Sequence, residues 1–153
     1  MSQMDAAQDF EAFVERIEPA LRRALSGHLA PDDVADAEAE AFAYAWQHRE
    51  RVLAMENPGG YLYRVAQSRS RRRKQGFLPW PSDAHVPEIE PGLPTALAAL
   101  SPMQQRAVWL VHGCGWSYAE TAAALDISAS TVGSHVTRAL ERLREQLGVV
   151  EHG

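Results

Sequence analysis

The chain has 153 residues, 46% hydrophobic and 23% charged, a composition that fits one ordinary globular domain or two small ones and excludes a disordered chain. One cysteine excludes a disulfide framework and a Cys-rich zinc module, and no apolar run reaches the roughly 18 residues of a membrane span. The net charge of −5 hides a segregation: residues 1–60 hold 12 acids and 5 bases, 61–76 six bases and no acid, 77–100 three acids and no base, and 101–153 five acids and four arginines.

The first ten residues carry acids and no basic stretch, so no signal peptide is expected and the cytoplasm is the expected location. Phe10, Phe13, Val14, Ile17, Leu21 and Leu25 fall on one stripe at helical spacing. Pro31, Asp32 and Asp33 suit a second helix start, since acids favour the positive end of a helix. Val34, Ala41, Phe42, Ala45 and Trp46 give that helix its apolar face. Asn57-Pro58-Gly59-Gly60 reads as a turn. A third helix is predicted from about Tyr61 to Lys74, with Leu62, Val65 and Ala66 inward.

Six of the nine prolines lie between Pro79 and Pro102, which excludes a helix there and predicts an extended linker. Beyond it, Ser101-Pro-Met-Gln104 carries the signature of a capping box. Val108, Leu110 and Val111 give an apolar face, and Gly113 and Gly115 end the helix. Ser117-Tyr-Ala-Glu120 is a second capping box opening a short helix through Leu125. Asp126 to Ser128 is a tight turn, and Ser128 caps a last helix to about Leu147. No β-like alternation appears, so the fold class is all-α: two small helical modules, residues 1–76 and 97–153, joined by a Pro-rich acidic linker over 77–96.

A short helix, a tight turn and a longer amphipathic helix make a helix-turn-helix. Thr121, Ala122 and Leu125 would pack on Ile127, Val132, Val136, Leu140 and Leu143. Ser130, Thr131, Gly133, Ser134, His135, Thr137 and Arg138 would then face a DNA groove, with Arg142 and Arg144 nearer phosphates. The plain alternative is a helical hairpin used only for packing.

The stretches from Leu100 to Leu110 and from Trp116 to Arg144 resemble region 4 of bacterial sigma factors. The segments from Asp33 to Arg49 and from Asn57 to Arg73 resemble region 2, and the whole resembles the small two-module extracytoplasmic-function group of the sigma-70 family over about residues 10–76 and 97–147. The resemblance implies a promoter-specificity subunit that binds core RNA polymerase and directs transcription initiation. It implies minus-35 recognition by the helix-turn-helix, and minus-10 recognition by Tyr61, Tyr63, Arg64, Gln67, Ser68, Arg71, Arg72, Arg73 and Lys74. It implies docking on the polymerase clamp by Asp33, Asp36, Glu40, Phe42 and Trp46. Small sigma factors of this type often have an anti-sigma partner.

The chain departs from the family pattern at several positions. Gly133 stands where Lys or Arg is usual, and His135 where Arg is frequent, so the recognition helix loses cations and, at Gly133, rigidity. Restoring basic residues there is expected to raise duplex affinity. Asp126 replaces the usual turn glycine and tolerates the left-handed conformation. Met103 and Ser68 replace a common Arg and Asn.

The residues themselves support this division of labour. Arg64, Arg69, Arg71, Arg72, Arg73 and Lys74 surround one helix axis and suit phosphates, while Tyr61 and Tyr63 offer faces for unpaired bases. Against that stands a solvated helix end with a tyrosine in the core. Asp32, Asp36 and Glu40 share one helix face and repel one another mildly, which fits a basic partner as well as a solvated face. No second ligand helix supports a carboxylate metal site, and Cys114 with His112 makes no full one. No cofactor and no enzyme motif is expected. Two rivals stand beside the sigma reading: a stand-alone regulator of the response-regulator effector type, and an interaction protein that kept the fold.

Overall fold

The computed structural model describes residues 3–69 and 93–148, and all regular structure among them is helical. Helix α1 spans Gln3–Ser26. Its predicted stripe faces the core, with Phe13, Leu21 and Leu25 buried and Phe10, Val14 and Ile17 packed beside them. Helix α2, Pro31–Gln47, starts where the proline and the two aspartates placed it. Val34, Ala41 and Ala45 are buried as expected, but the face is turned toward Ala37 and Glu38, leaving Phe42 half-buried and Trp46 38% exposed. A short α3 follows, Arg49–Leu53.

Helix α4, Pro58–Arg69, corrects the expected turn at Asn57–Gly60. The proline takes the first helical position, and Tyr61 N–H donates to the Asn57 carbonyl at 3.2 Å. The two glycines that read as a turn lie inside the first turn of the helix. Gly60 is there for proximity: a Cβ on it would stand 2.5 Å from the carbonyl oxygen of Glu120. Residues 70–74 of the predicted helix lie outside the described residues.

In the second half, α5 spans Leu93–Ala98 and occupies the end of the expected linker. Pro94 sits in its first turn, where a missing N–H costs nothing. Ala96, Leu97 and Leu100 form a small core with Val108, Ala139 and Leu143, so this segment packs with the helix-turn-helix. Helix α6, Pro102–Val108, opens on the expected capping box: Gln104 N–H donates to Ser101 Oγ and Ser101 N–H to Gln104 Oε1, both at 3.2 Å. It runs into a π-helical turn, Trp109–Gly113. Its last residue, Gly113, has no room for a side chain, since a Cβ would stand 2.4 Å from the Trp109 ring, and the left-handed Gly115 follows at φ 72°.

Helix α7, Tyr118–Leu125, carries the second capping box. Asp126 takes the left-handed conformation at φ 58°, ψ 46°. Ser128 Oγ accepts from Thr131 N–H at 3.1 Å and starts α8, Ala129–Leu147. Ala107, Val132 and Val136 form the helix-turn-helix core with Val111, Ala122, Leu125, Ile127 and Leu140.

The largest core joins the two halves that the linker separates in sequence. Residues of α1, α2 and α4 share it with Trp109, Leu110, Trp116 and Ala124. Burying a side chain such as Leu21, Leu62 or Leu110, each 0% exposed, contributes roughly 1.5–3 kcal/mol. The indole N–H of Trp109 donates to the Ala24 carbonyl at 3.0 Å, and its ring fills the space left by Gly27. Arg23 donates twice to the Gly113 carbonyl, at 3.1 and 2.8 Å. Tyr63 meets Trp116 edge-on at 5.9 Å.

Candidate nucleic-acid interface

The outer face of α8 is the open part of the helix-turn-helix. Ser130, Ser134, Thr137 and Arg138 are exposed, and Thr131, Gly133 and His135 are half-buried. With Tyr118 and Glu141, several of these residues line a shallow groove of about 480 Å³ between the start of α7 and the middle of α8. Thr131 turns its hydroxyl to Ser128 Oγ at 2.8 Å. Arg142 is directed elsewhere: its guanidinium donates to Gln104 Oε1 and to the Ala99 carbonyl, both at 3.3 Å, tying α8 to the α5–α6 corner. Arg144 is exposed.

The residues expected at the minus-10 strand divide into three groups. Tyr63 and Gln67 are both buried in this arrangement, as the alternative with a tyrosine in the core has it for Tyr63. Tyr63 is 0% exposed, and Gln67 donates to its hydroxyl at 2.8 Å and also meets buried His28. Burial pushes the Tyr63 phenol far above its ordinary value, so it stays neutral. Helix α4 turns this side toward Trp116 and α1, and a base has no access to it in this arrangement. Tyr61 is half-buried, Arg64 is half-buried and Ser68 is exposed. Arg71, Arg72, Arg73 and Lys74 lie outside the described residues.

Tyr61 belongs to a cluster that sequence reading missed. Its hydroxyl meets that of Tyr44 at 2.9 Å, and Arg51 donates to both, at 2.7 Å to Tyr44 and 3.1 Å to Tyr61. Arg64 lies over the Tyr61 ring at 5.2 Å and Arg69 over the Tyr44 ring at 5.6 Å. Hydrogen bonding from Tyr61 and the cationic arginines lower the Tyr44 phenol from its ordinary value, and the bond to Tyr44 raises that of Tyr61. The only sequence signal was Tyr44 itself, an aromatic residue off the apolar face of α2.

On α2, Asp36 is exposed, and Asp33, Glu40 and Phe42 are half-buried. Trp46 meets Phe10 edge-on at 5.1 Å, and Arg49 lies over its ring at 4.2 Å. The buried acid of this helix is Glu38, a residue that sequence reading did not single out. Among the described residues no group of three or more His, Cys, Asp or Glu side chains is placed to hold a metal. Cys114 is half-buried, and burial pushes its thiol up to about 12, which leaves it unreactive at neutral pH.

Residues 92–143 match the family "Sigma-70, region 4". The chain is 36% identical, over 153 residues, to an RNA polymerase sigma-E factor of Streptomyces antibioticus, covering 91% of this chain and 84% of that protein. The chain belongs to the RNA polymerase sigma factors. It is 34% identical to a sigma-E factor of Streptomyces coelicolor over 94% of this chain and 89% of that protein. Its structure resembles the sigma factor RpoE of Bartonella quintana, solved with the anti-sigma factor NepR, at a TM-score of 0.70 and 25% identity over 94% of this chain and 99% of that one. The fold is also that of CnrH, solved with the cytosolic domain of CnrY, at a TM-score of 0.64 and 23% identity over 95% and 91% of the two chains. These likenesses place this sigma factor in the extracytoplasmic-function group, as a transcription-initiation subunit, and do not favour a stand-alone regulator. Among the described residues no helix is long and apolar enough to cross a membrane.

Proposed function

We propose that this sigma factor docks on core RNA polymerase through the acidic side of α2, with Asp33, Asp36 and Glu40 beside Phe42 and the exposed Trp46, and that α8 reads the minus-35 duplex through Ser130, Ser134, Thr137 and Arg138. The observation that carries this reading is a complete helix-turn-helix whose outer α8 face is exposed. Tyr61, Arg64 and Ser68, with Arg71, Arg72, Arg73 and Lys74, serve the minus-10 strand. The protein acts in the cytoplasm as a binding subunit without chemistry of its own. Residues 1–76 and 97–153 are its two working modules. One structural neighbour was solved with an anti-sigma factor, which supports a protein inhibitor as a further partner.

The shared core adds a requirement. Minus-10 and minus-35 elements lie about 25 base pairs apart, roughly 85 Å at about 3.4 Å per pair. A compact chain of this length has a radius of gyration of about 15 Å. The closed arrangement does not span both elements, so α4 and α7 separate before both are read.

The test is gel filtration of the full chain with bacterial core RNA polymerase. Co-elution that is lost on changing Asp36→Lys and Glu40→Lys together supports the docking face. Free elution of the wild-type chain, with the same polymerase binding another sigma factor, overturns it.

A further inference from the structure

The two halves of the chain meet through a reciprocal set of hydrogen bonds at their helix ends. Carbonyls in the last turn of a helix have no acceptor role left within it and take donors from outside. The Ala24 carbonyl, in the last turn of α1, accepts from the Trp109 indole N–H at 3.0 Å. The Gly113 carbonyl, at the end of the π-helical turn, accepts twice from Arg23, at 3.1 and 2.8 Å. Trp109 is seated between two glycines, Gly27 of the first half and Gly113 of its own, and a Cβ on either would run into the indole. The same interface withdraws residues implied for the minus-10 strand. Tyr63 is buried against Trp116, Gln67 is buried beside it, and Arg64 is paired with Asp126 of the helix-turn-helix at 2.7 Å.

We infer that the free sigma factor holds itself in a closed, DNA-silent form through a latch between the end of α1 and the Trp109–Gly113 turn, and that binding to core RNA polymerase releases it. The inference deepens the proposed reading of two modules on two promoter elements and rests on it, since a chain that reaches both elements is open in the holoenzyme. Opening is then part of polymerase binding, and the apparent affinity is reduced by the fraction of chains that are open. A weaker latch therefore gives tighter binding, the opposite sign from the loss of a polymerase contact. Arg23 is the part of the latch that can be removed without leaving a cavity: its side chain is exposed, whereas Trp109 belongs to the shared core. Water replaces its bonds to Gly113 once the halves part, so the latch is reversible.

The experiment uses the full chain. Exchange of the Trp109 indole proton with solvent, followed by NMR, reports opening, and fluorescence anisotropy reports affinity for bacterial core polymerase. Arg23→Ala is expected to speed the exchange and tighten polymerase binding together, each roughly three- to tenfold. Arg23→Lys keeps a donor and is expected to fall between Arg23→Ala and wild type. Arg16→Ala removes the same charge from α1 at a residue whose ring contact, Phe13, lies on its own helix, and it is expected to change neither quantity. Unchanged indole exchange in Arg23→Ala overturns the latch. Faster exchange without tighter binding overturns its coupling to polymerase, and an equal effect from Arg16→Ala reduces the result to charge. Asp36→Lys with Glu40→Lys separates this inference from the proposed docking face. If that pair abolishes binding while Arg23→Ala behaves as wild type, the latch falls and the docking face stands. If Arg23→Ala binds tighter while the pair binds like wild type, the docking face falls and the latch stands.

Discussion

Arg64 of α4 and Asp126, the left-handed residue between α7 and α8, form an ion pair of 2.7 Å that crosses from one half of the molecule to the other. A residue of the turn thereby holds a cation proposed for the minus-10 strand. The Arg64 side chain is 40% exposed and that of Asp126 77%, so solvent screens the pair and it is worth under about 1 kcal/mol. Asp126→Asn keeps a residue that tolerates the left-handed turn and removes the charge. It should lower Tm by no more than about 2–4 °C and raise affinity for single-stranded minus-10 DNA. Unchanged strand binding in a fluorescence anisotropy titration would show that the pair does not restrain Arg64.

Gly59 and Gly60 are neighbours with opposite expected responses. Gly60→Ala places a Cβ 2.5 Å from the Glu120 carbonyl, and backbone cannot swing aside as a side chain can. A loss of about 1–3 kcal/mol is expected in urea denaturation. At Gly59 the nearest atoms are those of Ile17, at 3.9 and 4.0 Å, so Gly59→Ala should be neutral or stabilising. Equal effects at the two positions would mean that α4 and α7 do not approach this closely in solution.

Trp109→Phe leaves the Ala24 carbonyl without its donor and the notch at Gly27 partly empty. A loss of about 2–4 kcal/mol is expected. A loss under about 1 kcal/mol, measured by circular dichroism in urea, would show that the two halves do not depend on the indole.

Glu38 gives a pH prediction. Burial, and then the nearby Glu18 carboxylate, raise its pKa above the ordinary 4.5, while Arg22 at 3.6 Å offsets part of the effect. A raised value means that the folded protein prefers the protonated acid. That contribution is fully present below the unfolded value of 4.5 and is lost as pH rises through the folded one. Glu38→Gln should therefore stabilise at pH 7 by some tenths of a kcal/mol up to about 1 and give no gain at pH 4. Thermal melts at the two pH values check this, and a loss at pH 7 would mean that the Arg22 pair outweighs burial.

What was legible in the sequence was local. Both capping boxes, the left-handed Asp126 and the Ser128 cap lie within a few residues of their partners, and each formed as read. The stripe of α1 was equally plain, because one helix face needs no knowledge of what covers it. A tyrosine in the core was legible as an alternative, but that it is Tyr63, with Gln67 beside it, was not, since Trp116 and His28 decide it from distant positions. Gly60 read as a turn for the same reason: a glycine needed for closeness looks like one needed for flexibility until α7 is seen against it. The Arg51–Tyr44–Tyr61 cluster joins three helices that no single periodicity covers.

The bond from Trp109 to the Ala24 carbonyl joins residues 85 positions apart. At ribosomal rates of about 5–20 residues per second, that separation corresponds to roughly 4–17 s of synthesis. For the last part of that interval, from Arg69 to Trp109, α1, α2 and α4 exist without the tryptophans that wall their core. The nascent first half has an uncovered apolar side, which is the kind of surface that chaperones hold and that aggregation exploits. A ribosome that pauses between Arg69 and Trp109 prolongs that exposure, so codon choice along the proline-rich stretch bears on the yield of folded protein.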